Sequence, residues 1–175
     1  EAGTDNAKYM TPLRVKESIA FNGVWTDIAE ERFAEDTSGY EIDVEGYDII
    51  KIYLYAKTRA SGSGYASFSL SLTIDDQTTY SNIQYKYTSS YSKVTTSGQG
   101  AISIANLTYA FGDAEAISEM EFNKTTKRFK ATSDYNSSTE NGKADNESYL
   151  TDTFDTITIL SLLKAGTKIK VIGIK

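Results

Sequence analysis

Strict alternation of apolar and polar residues is the feature that most constrains how this chain folds. In residues 67–74, Phe68, Leu70, Leu72 and Ile74 alternate with serine and threonine. A β-strand points successive side chains to opposite faces, so this segment has one apolar and one polar face. The other segments with alternating or densely apolar residues, which we predict as strands, are 40–44, 49–56, 83–87, 102–104, 120–122, 129–131, 153–160 and 167–174.

The sequence also predicts a central strand, the turns and the loops. In residues 49–56 both faces are apolar, which predicts a central strand covered on both sides. Residues 123–126 match the turn of a strand pair, and Ala165 with Gly166 matches a tight hairpin between the last two strands. The polar segments predict a flexible loop at 60–64, a long loop or loosely paired edge at 88–100, and a mobile surface loop at 133–148.

Length and composition favour one all-β domain. The 175 residues suffice for one hydrophobic core but are short for two, and 13 tyrosines with few helix-favouring runs favour strands. We predict an antiparallel β-sandwich over residues 23–175, with a jelly-roll-like strand order. Residues 1–22 are predicted as a hinge and a short helix over 12–20, in which Thr11 is the N-cap and Pro12 the first helical residue.

The charge and the missing residue types exclude several functions. A net charge of −6 argues against nucleic-acid binding, which needs a cationic face. The chain has no cysteine and no histidine, which excludes a zinc site of the usual ligands, a thiol nucleophile and a Ser-His-Asp triad. No apolar run approaches the roughly 18 residues that cross a bilayer. We therefore expect no cofactor, no metal and no membrane insertion.

Both ends of the chain resemble segments of tailed-bacteriophage fibre and virion structural proteins. Residues 2–16 read AGTDNAKYMTPLRVK, which is similar to a hinge that leads into a fibre domain, and residues 165–175 read AGTKIKVIGIK, which resembles a closing strand. The segments 65–76 (YASFSLSLTIDD), 80–90 (YSNIQYKYTSS) and 102–108 (ISIANLT) resemble strands of the same modules. The resemblance covers nearly the whole chain, and the N-terminal hinge is its most specific part.

The resemblance implies a module of a tail fibre, head fibre or related virion appendage. Such fibres are homotrimers as a rule, and their tips bind the bacterial surface. The implied location is the surface of the virion, and the implied partners are sister chains, other virion proteins and a surface glycan or protein of the host. The chain lacks the histidine-rich pattern of some fibre needles, so a metal-threaded tip is not expected.

Four tyrosines are candidates for ligand binding. Tyr80, Tyr85, Tyr87 and Tyr91 lie in a region rich in serine and threonine. Sugar recognition uses aromatic faces beside hydroxyl and amide groups, because a pyranose presents C–H groups to the ring and hydroxyls to polar neighbours. Ordinary core packing is the alternative, since Tyr85 and Tyr87 follow a period of two.

An oligomer interface is the second candidate. The predicted helix carries a narrow apolar stripe and is too short to be stable alone, so it packs either on its own sheet or on sister helices. Trp25 follows the helix and is predicted to anchor a core or a subunit contact. The candidate interface residues are Leu13, Val15, Ile19 and Trp25.

Acidic residues raise two further possibilities. Glycoside hydrolysis uses two carboxylates, for which Asp75 with Asp76 or Glu119 with Glu121 are candidates. The simpler interpretation is that the aspartates cap a turn and that the glutamates form the wet side of a strand. Four acidic residues in one polar segment raise the possibility of a calcium site: Asp134, Glu140, Asp145 and Glu147. Their spacing differs from that of known calcium-binding loops, so a solvated loop is the simpler interpretation.

Three functional hypotheses follow from the sequence. The first is a non-enzymatic virion fibre module that adheres to the host through the loops at 60–64, 88–100 and 133–148. The second is a capsid decoration protein. The third, from a different class, is a secreted carbohydrate-binding or hydrolytic domain.

Overall fold

A computed structural model describes residues 24–59, 66–74, 81–87, 91–97, 102–110, 113–137, 141–150 and 153–175. These residues form twelve strands and no helix. The strands are β1 (Thr26–Arg32), β2 (Tyr40–Asp43), β3 (Ile49–Arg59), β4 (Ala66–Ile74), β5 (Ser81–Tyr87), β6 (Tyr91–Ser97), β7 (Ile102–Ala110), β8 (Asp113–Asn123), β9 (Arg128–Ser137), β10 (Asn141–Tyr149), β11 (Thr156–Ile159) and β12 (Lys168–Ile174).

The strands pair into two antiparallel sheets. An eight-stranded sheet has the order β1-β12-β3-β8-β9-β10-β5-β6, and a four-stranded sheet has the order β2-β11-β4-β7. Every strand pair in the described residues is antiparallel. The predicted all-β class is therefore confirmed. The predicted hinge over 1–22 and its helix over 12–20 lie outside the described residues.

The apolar faces of both sheets contribute to one hydrophobic core. In β3, Ile50, Ile52 and Leu54 are buried, and in β11 of the other sheet Ile157 and Ile159 are buried within the same cluster. Burying a side chain of this size contributes about 1.5–3 kcal/mol, so the alternating residues supply the main driving force for pairing the sheets. The strands predicted from alternation are present, and the one predicted over 153–160 is confined to Thr156–Ile159.

The predicted surface loop at 133–148 is wrong, because most of this segment is β-strand. Strands β9 and β10 pair along their length, with Tyr135 opposite Gly142. Small polar side chains of the segment point into the core and form hydrogen bonds there. The Ser133 hydroxyl lies 2.8 Å from that of Ser118, and the Asn146 amide donates to the carbonyl of Ile104 at 2.8 Å. The last bond joins the two sheets.

The predicted hairpin at Ala165 and Gly166 is also wrong. A turn with Gly166 at a φ of 90° is present, but β11 belongs to the four-stranded sheet whereas β12 pairs with β1 and β3. The turn thus carries the chain from one sheet to the other. A tight turn has the same local sequence in both cases, so the two arrangements differ only in the tertiary partners of the strands.

One prediction about exposure needs correction, and one alternative is confirmed in part. Strand β3 is central in its sheet, but it is covered on one side only, because Tyr53 on its other face is 39% exposed. Of the segment 88–100, the described residues 91–97 form β6 at the end of the eight-stranded sheet, which confirms the alternative of a paired edge for these residues.

A buried threonine completes the hydrogen bonding of β3 where its ladder with β12 ends. The Thr167 hydroxyl accepts a hydrogen bond from the Lys57 amide at 3.0 Å and lies 3.3 Å from the Lys57 carbonyl. We expect Thr167→Val to lower the free energy of unfolding by about 1–3 kcal/mol, because the valine leaves this amide without its acceptor. Urea denaturation measures the change. Thr132→Val, at an exposed hydroxyl, is the control and should stay within about 0.5 kcal/mol; equal effects would contradict the assigned role.

Candidate ligand-binding groove

The face of the eight-stranded sheet that points away from the core carries an open groove. It runs over strands β1, β12, β3 and β8 and has a volume of about 660 Å³. Small-molecule sites have volumes of roughly 300–1,000 Å³, so the groove has the size of a ligand site. Its lining residues are Glu30, Glu31, Arg32, Tyr53, Leu54, Tyr55, Ile117, Ser118, Glu119, Lys168, Ile169 and Lys170.

The floor of the groove is aromatic and aliphatic. Alternation in β3 places Tyr53 and Tyr55 on the outer face, and Tyr55 is the direct partner of Ile117 in β8. Ile117 is 63% exposed and Tyr53 is 39% exposed. Directly opposed residues on one face have Cβ atoms about 4.5–5.5 Å apart, so these side chains form one continuous platform.

The ring of Tyr55 is held by polar contacts at one end of the platform. Its hydroxyl donates a hydrogen bond to Glu115 Oε1 at 2.7 Å. This bond raises the pKa of Tyr55. Lys57 Nζ lies 5.8 Å from the ring centroid and 3.7 Å from Glu115. These contacts orient the ring of Tyr55 beside the groove.

Paired charges border the groove on the side of β1. Lys170 Nζ lies 3.3 Å from Asp27 Oδ1 and 3.5 Å from Glu30 Oε2. The hydrogen bond to Asp27 and the charges of both carboxylates raise the pKa of Lys170. Glu31 is engaged elsewhere: burial and a hydrogen bond to Glu31 together raise the pKa of Tyr40. The acidic residues of β1 are therefore occupied by partners of their own.

Two further cations on this border have no carboxylate partner in the described part of the chain. Arg32 of β1 and Lys168 of β12 are direct cross-strand partners, and both are exposed. Lys168 is in turn the partner of Tyr55. Like charges directly opposite each other repel and destabilise a sheet. A bound anion between Arg32 and Lys168 would remove this repulsion.

The structure places three of the four candidate tyrosines, Tyr85, Tyr87 and Tyr91, away from this groove. Tyr85 and Tyr87 lie in β5, at the far end of the eight-stranded sheet, and Tyr91 lies in the edge strand β6. Tyr87 and Tyr91 are direct backbone partners, so the fold brings these two positions together. Tyr80 lies outside the described residues.

Of the candidate interface residues, Trp25 alone belongs to the described residues. It is 40% exposed, and Lys51 Nζ lies 5.1 Å from its ring centroid. Leu13, Val15 and Ile19 lie outside the described residues. The predicted subunit contact thus stays a prediction.

The acidic candidates do not form a shared site in the described residues. Glu119 and Glu121 lie on the outer face of β8, and Glu121 pairs with Lys51 at 3.4 Å. Asp145 accepts a hydrogen bond from Thr132 at 3.0 Å. No group of three or more potential metal ligands occurs within the described ranges. Asp75, Asp76 and Glu140 lie outside those ranges, and Asp134 and Glu147 lie in β9 and β10.

Sequence reasoning missed the groove because it missed β1. The register of β1 against β12 shifts between Asp27 and Ala29, so Ile28 is an extra residue in a β-bulge. The bulge interrupts the period of two that marks a strand. The remaining signal is the alternation of Glu30 and Arg32 with Glu31 and Phe33, which is visible once the bulge is recognised.

Comparisons with known proteins do not identify a relative. Family models, curated proteins and solved structures contain no match to this chain. Within the described residues, no helix has the length and apolar character needed to span a bilayer.

Proposed function

We propose that this chain is a non-enzymatic module of a virion appendage, a tail or head fibre, that is displayed on the particle surface and adheres to the host cell. The observation that carries the proposal is the groove on the outer face of the eight-stranded sheet. It combines an exposed apolar platform of Tyr53, Tyr55 and Ile117 with charged groups at its border. Such a combination suits recognition of a glycan, because sugar rings offer both C–H faces and polar groups.

The strand order supports a jelly-roll sandwich as the body of the module. The order β2-β11-β4-β7 is that of one jelly-roll sheet, and β3-β8 with β5-β6 supplies the other, separated by the inserted hairpin β9-β10. Strands β1 and β12 extend the sheet beside β3. Jelly rolls occur in viral capsid proteins and lectins, which agrees with the proposal, although a fold alone does not determine function.

The proposed assembly is a homotrimer, with Leu13, Val15, Ile19 and Trp25 as candidate contacts between subunits. The exposed indole of Trp25 is consistent with such a role, because aromatic residues are enriched at interfaces. Sedimentation equilibrium on the whole chain should give three times the chain mass of 19.3 kDa. A monomer at working concentration would count against the fibre proposal.

Adhesion is tested with fluorescently labelled chain on a panel of capsulated and non-capsulated bacterial strains. We expect saturable binding to some strains, and competition by unlabelled chain. Absence of saturable binding on every strain would contradict the adhesion proposal. Release of reducing sugar from surface polysaccharides that the chain binds would instead favour the hydrolytic domain.

A further inference from the structure

We infer that the groove binds an acidic oligosaccharide, with a sugar carboxylate between Arg32 and Lys168 and a pyranose ring on Tyr55 and Ile117. This inference rests on the proposed adhesive function and adds the chemical class of its ligand. The four residues lie in one row across the sheet, because Arg32 partners Lys168, Lys168 partners Tyr55, and Tyr55 partners Ile117.

The charges of the groove distinguish this row from its neighbours. In the adjacent row, the charge of Lys170 is compensated by Glu30 and Asp27. On the other side of the row, Lys57 of β3 pairs with Glu115 of β8. The row of Arg32 and Lys168 therefore has two positive charges without a partner among the described residues, within a chain whose net charge is −6. A guanidinium group binds a carboxylate with two parallel hydrogen bonds, which suits a uronic or sialic acid.

The platform suits the remainder of a sugar. An exposed isoleucine beside an oriented tyrosine ring provides an apolar surface for the C–H face of a pyranose. Glu119, across the groove on β8, is exposed and accepts hydrogen bonds from sugar hydroxyls. Strands β12 and β8 are two strand spacings apart, roughly 10 Å, so the anion site and Glu119 are separated by about the length of a short oligosaccharide.

A glycan fits these features better than a protein partner. Specific protein interfaces bury about 800 Å² on each side and have an apolar centre. Here the apolar platform is narrow and charged residues border it, while the volume of about 660 Å³ is that of a small-ligand site. Binding to a protein on the host surface is the alternative that protease treatment of the cells tests.

The experiment uses the whole chain and tetrasaccharides of galacturonate, glucuronate and mannuronate, with sialyl oligosaccharides as a second acidic set. The carboxyl-reduced counterparts are the neutral probes. We expect at least one acidic probe to bind tenfold or more tightly than its neutral counterpart by titration calorimetry. Its affinity should fall as the salt concentration rises, because salt screens the charges at this exposed site.

Charge variants then locate the site. We expect Arg32→Gln with Lys168→Gln to weaken binding of the acidic probe at least tenfold. The matched control is Lys130→Gln with Lys143→Gln, which removes the same charge from exposed positions of β9 and β10 and should change affinity less than twofold. All four side chains are exposed, and thermal melts verify that each variant is folded.

The results distinguish failure of the ligand inference from failure of the proposed adhesive function. If the chain adheres to cells but binds acidic and neutral probes equally, or if the Arg32 and Lys168 variant binds as well as the control, the ligand inference is overturned while adhesion stands. Cell binding that is lost after protease treatment of the cells, but not after periodate oxidation, indicates a protein partner and also overturns it. If no cell and no probe is bound, both proposals fail.

Discussion

Replacing Phe122 with alanine is expected to lower the free energy of unfolding by about 3–5 kcal/mol. Phe122 of β8 is fully buried, and its ring centroid lies 4.6 Å from that of Phe129 in β9 and 5.9 Å from that of Phe154. Phe154 precedes β11 of the four-stranded sheet, so the three rings connect the two sheets. Alanine removes the central ring and leaves a cavity in the shared core.

Urea denaturation, with the midpoint and slope fitted separately, measures this loss. Ile117→Thr is the matched control, because Ile117 lies on the opposite face of the same strand, is 63% exposed, and keeps its β-branched character. We expect the control to stay within about 0.5 kcal/mol. If Phe122→Ala were no more destabilising than Ile117→Thr, the assignment of inner and outer faces of β8 would be wrong.

The second large effect is expected at Gly173, where valine should lower the free energy of unfolding by about 3 kcal/mol. A Cβ atom at this position would lie 2.5 Å from Cδ1 of Tyr47 and 2.7 Å from Cδ1 of Ile28. Such separations are shorter than van der Waals contact, so both neighbours must move. Gly173 of β12 pairs with Thr26 of β1 and Ile50 of β3, so its own backbone is held between two strands and cannot easily shift to relieve the clash.

A double-mutant cycle tests whether Tyr47 is the cause. Tyr47 packs against the core, and Lys175 Nζ lies 5.0 Å from its ring centroid. Gly173→Ala should destabilise by about 1–2 kcal/mol in the native background and by clearly less in a Tyr47→Leu background, because the shorter side chain leaves room. Equal effects in both backgrounds would exclude the contact with Tyr47 as the source of the instability.

The alternation in the sequence was sufficient to predict most strands, because core burial of every second residue is what holds them in the sheets. It failed where polar residues are buried. Ser133 and Asn146 are polar, yet they lie in the core, where the Ser133 hydroxyl pairs with that of Ser118 and the Asn146 NH2 group donates to the Ile104 carbonyl. A hydrogen bond between side chains or backbone of two different strands leaves no local pattern, so the sequence of 133–148 alone predicts a loop.

The groove could not be predicted from local sequence for a related reason. Its lining comes from β1, β12, β3 and β8, which are neighbours only through long-range pairing, and the bulge at Ile28 hides the first of them. The tyrosines of β5 and β6, in contrast, stand out in the sequence as a candidate site because they lie within a few residues of each other. Arg32 and Lys168 become a pair only when the two ends of the described chain meet in one sheet.

The most direct test of the outer-face groove is a titration of the ¹⁵N-labelled chain with polysaccharide fragments from a strain to which it adheres, followed by amide chemical shifts. We predict that the shift changes concentrate in β1, β12, β3 and β8, around Arg32, Tyr55 and Lys168. Shift changes confined to β5 and β6, around Tyr85, Tyr87 and Tyr91, would contradict the groove and favour the tyrosine site instead.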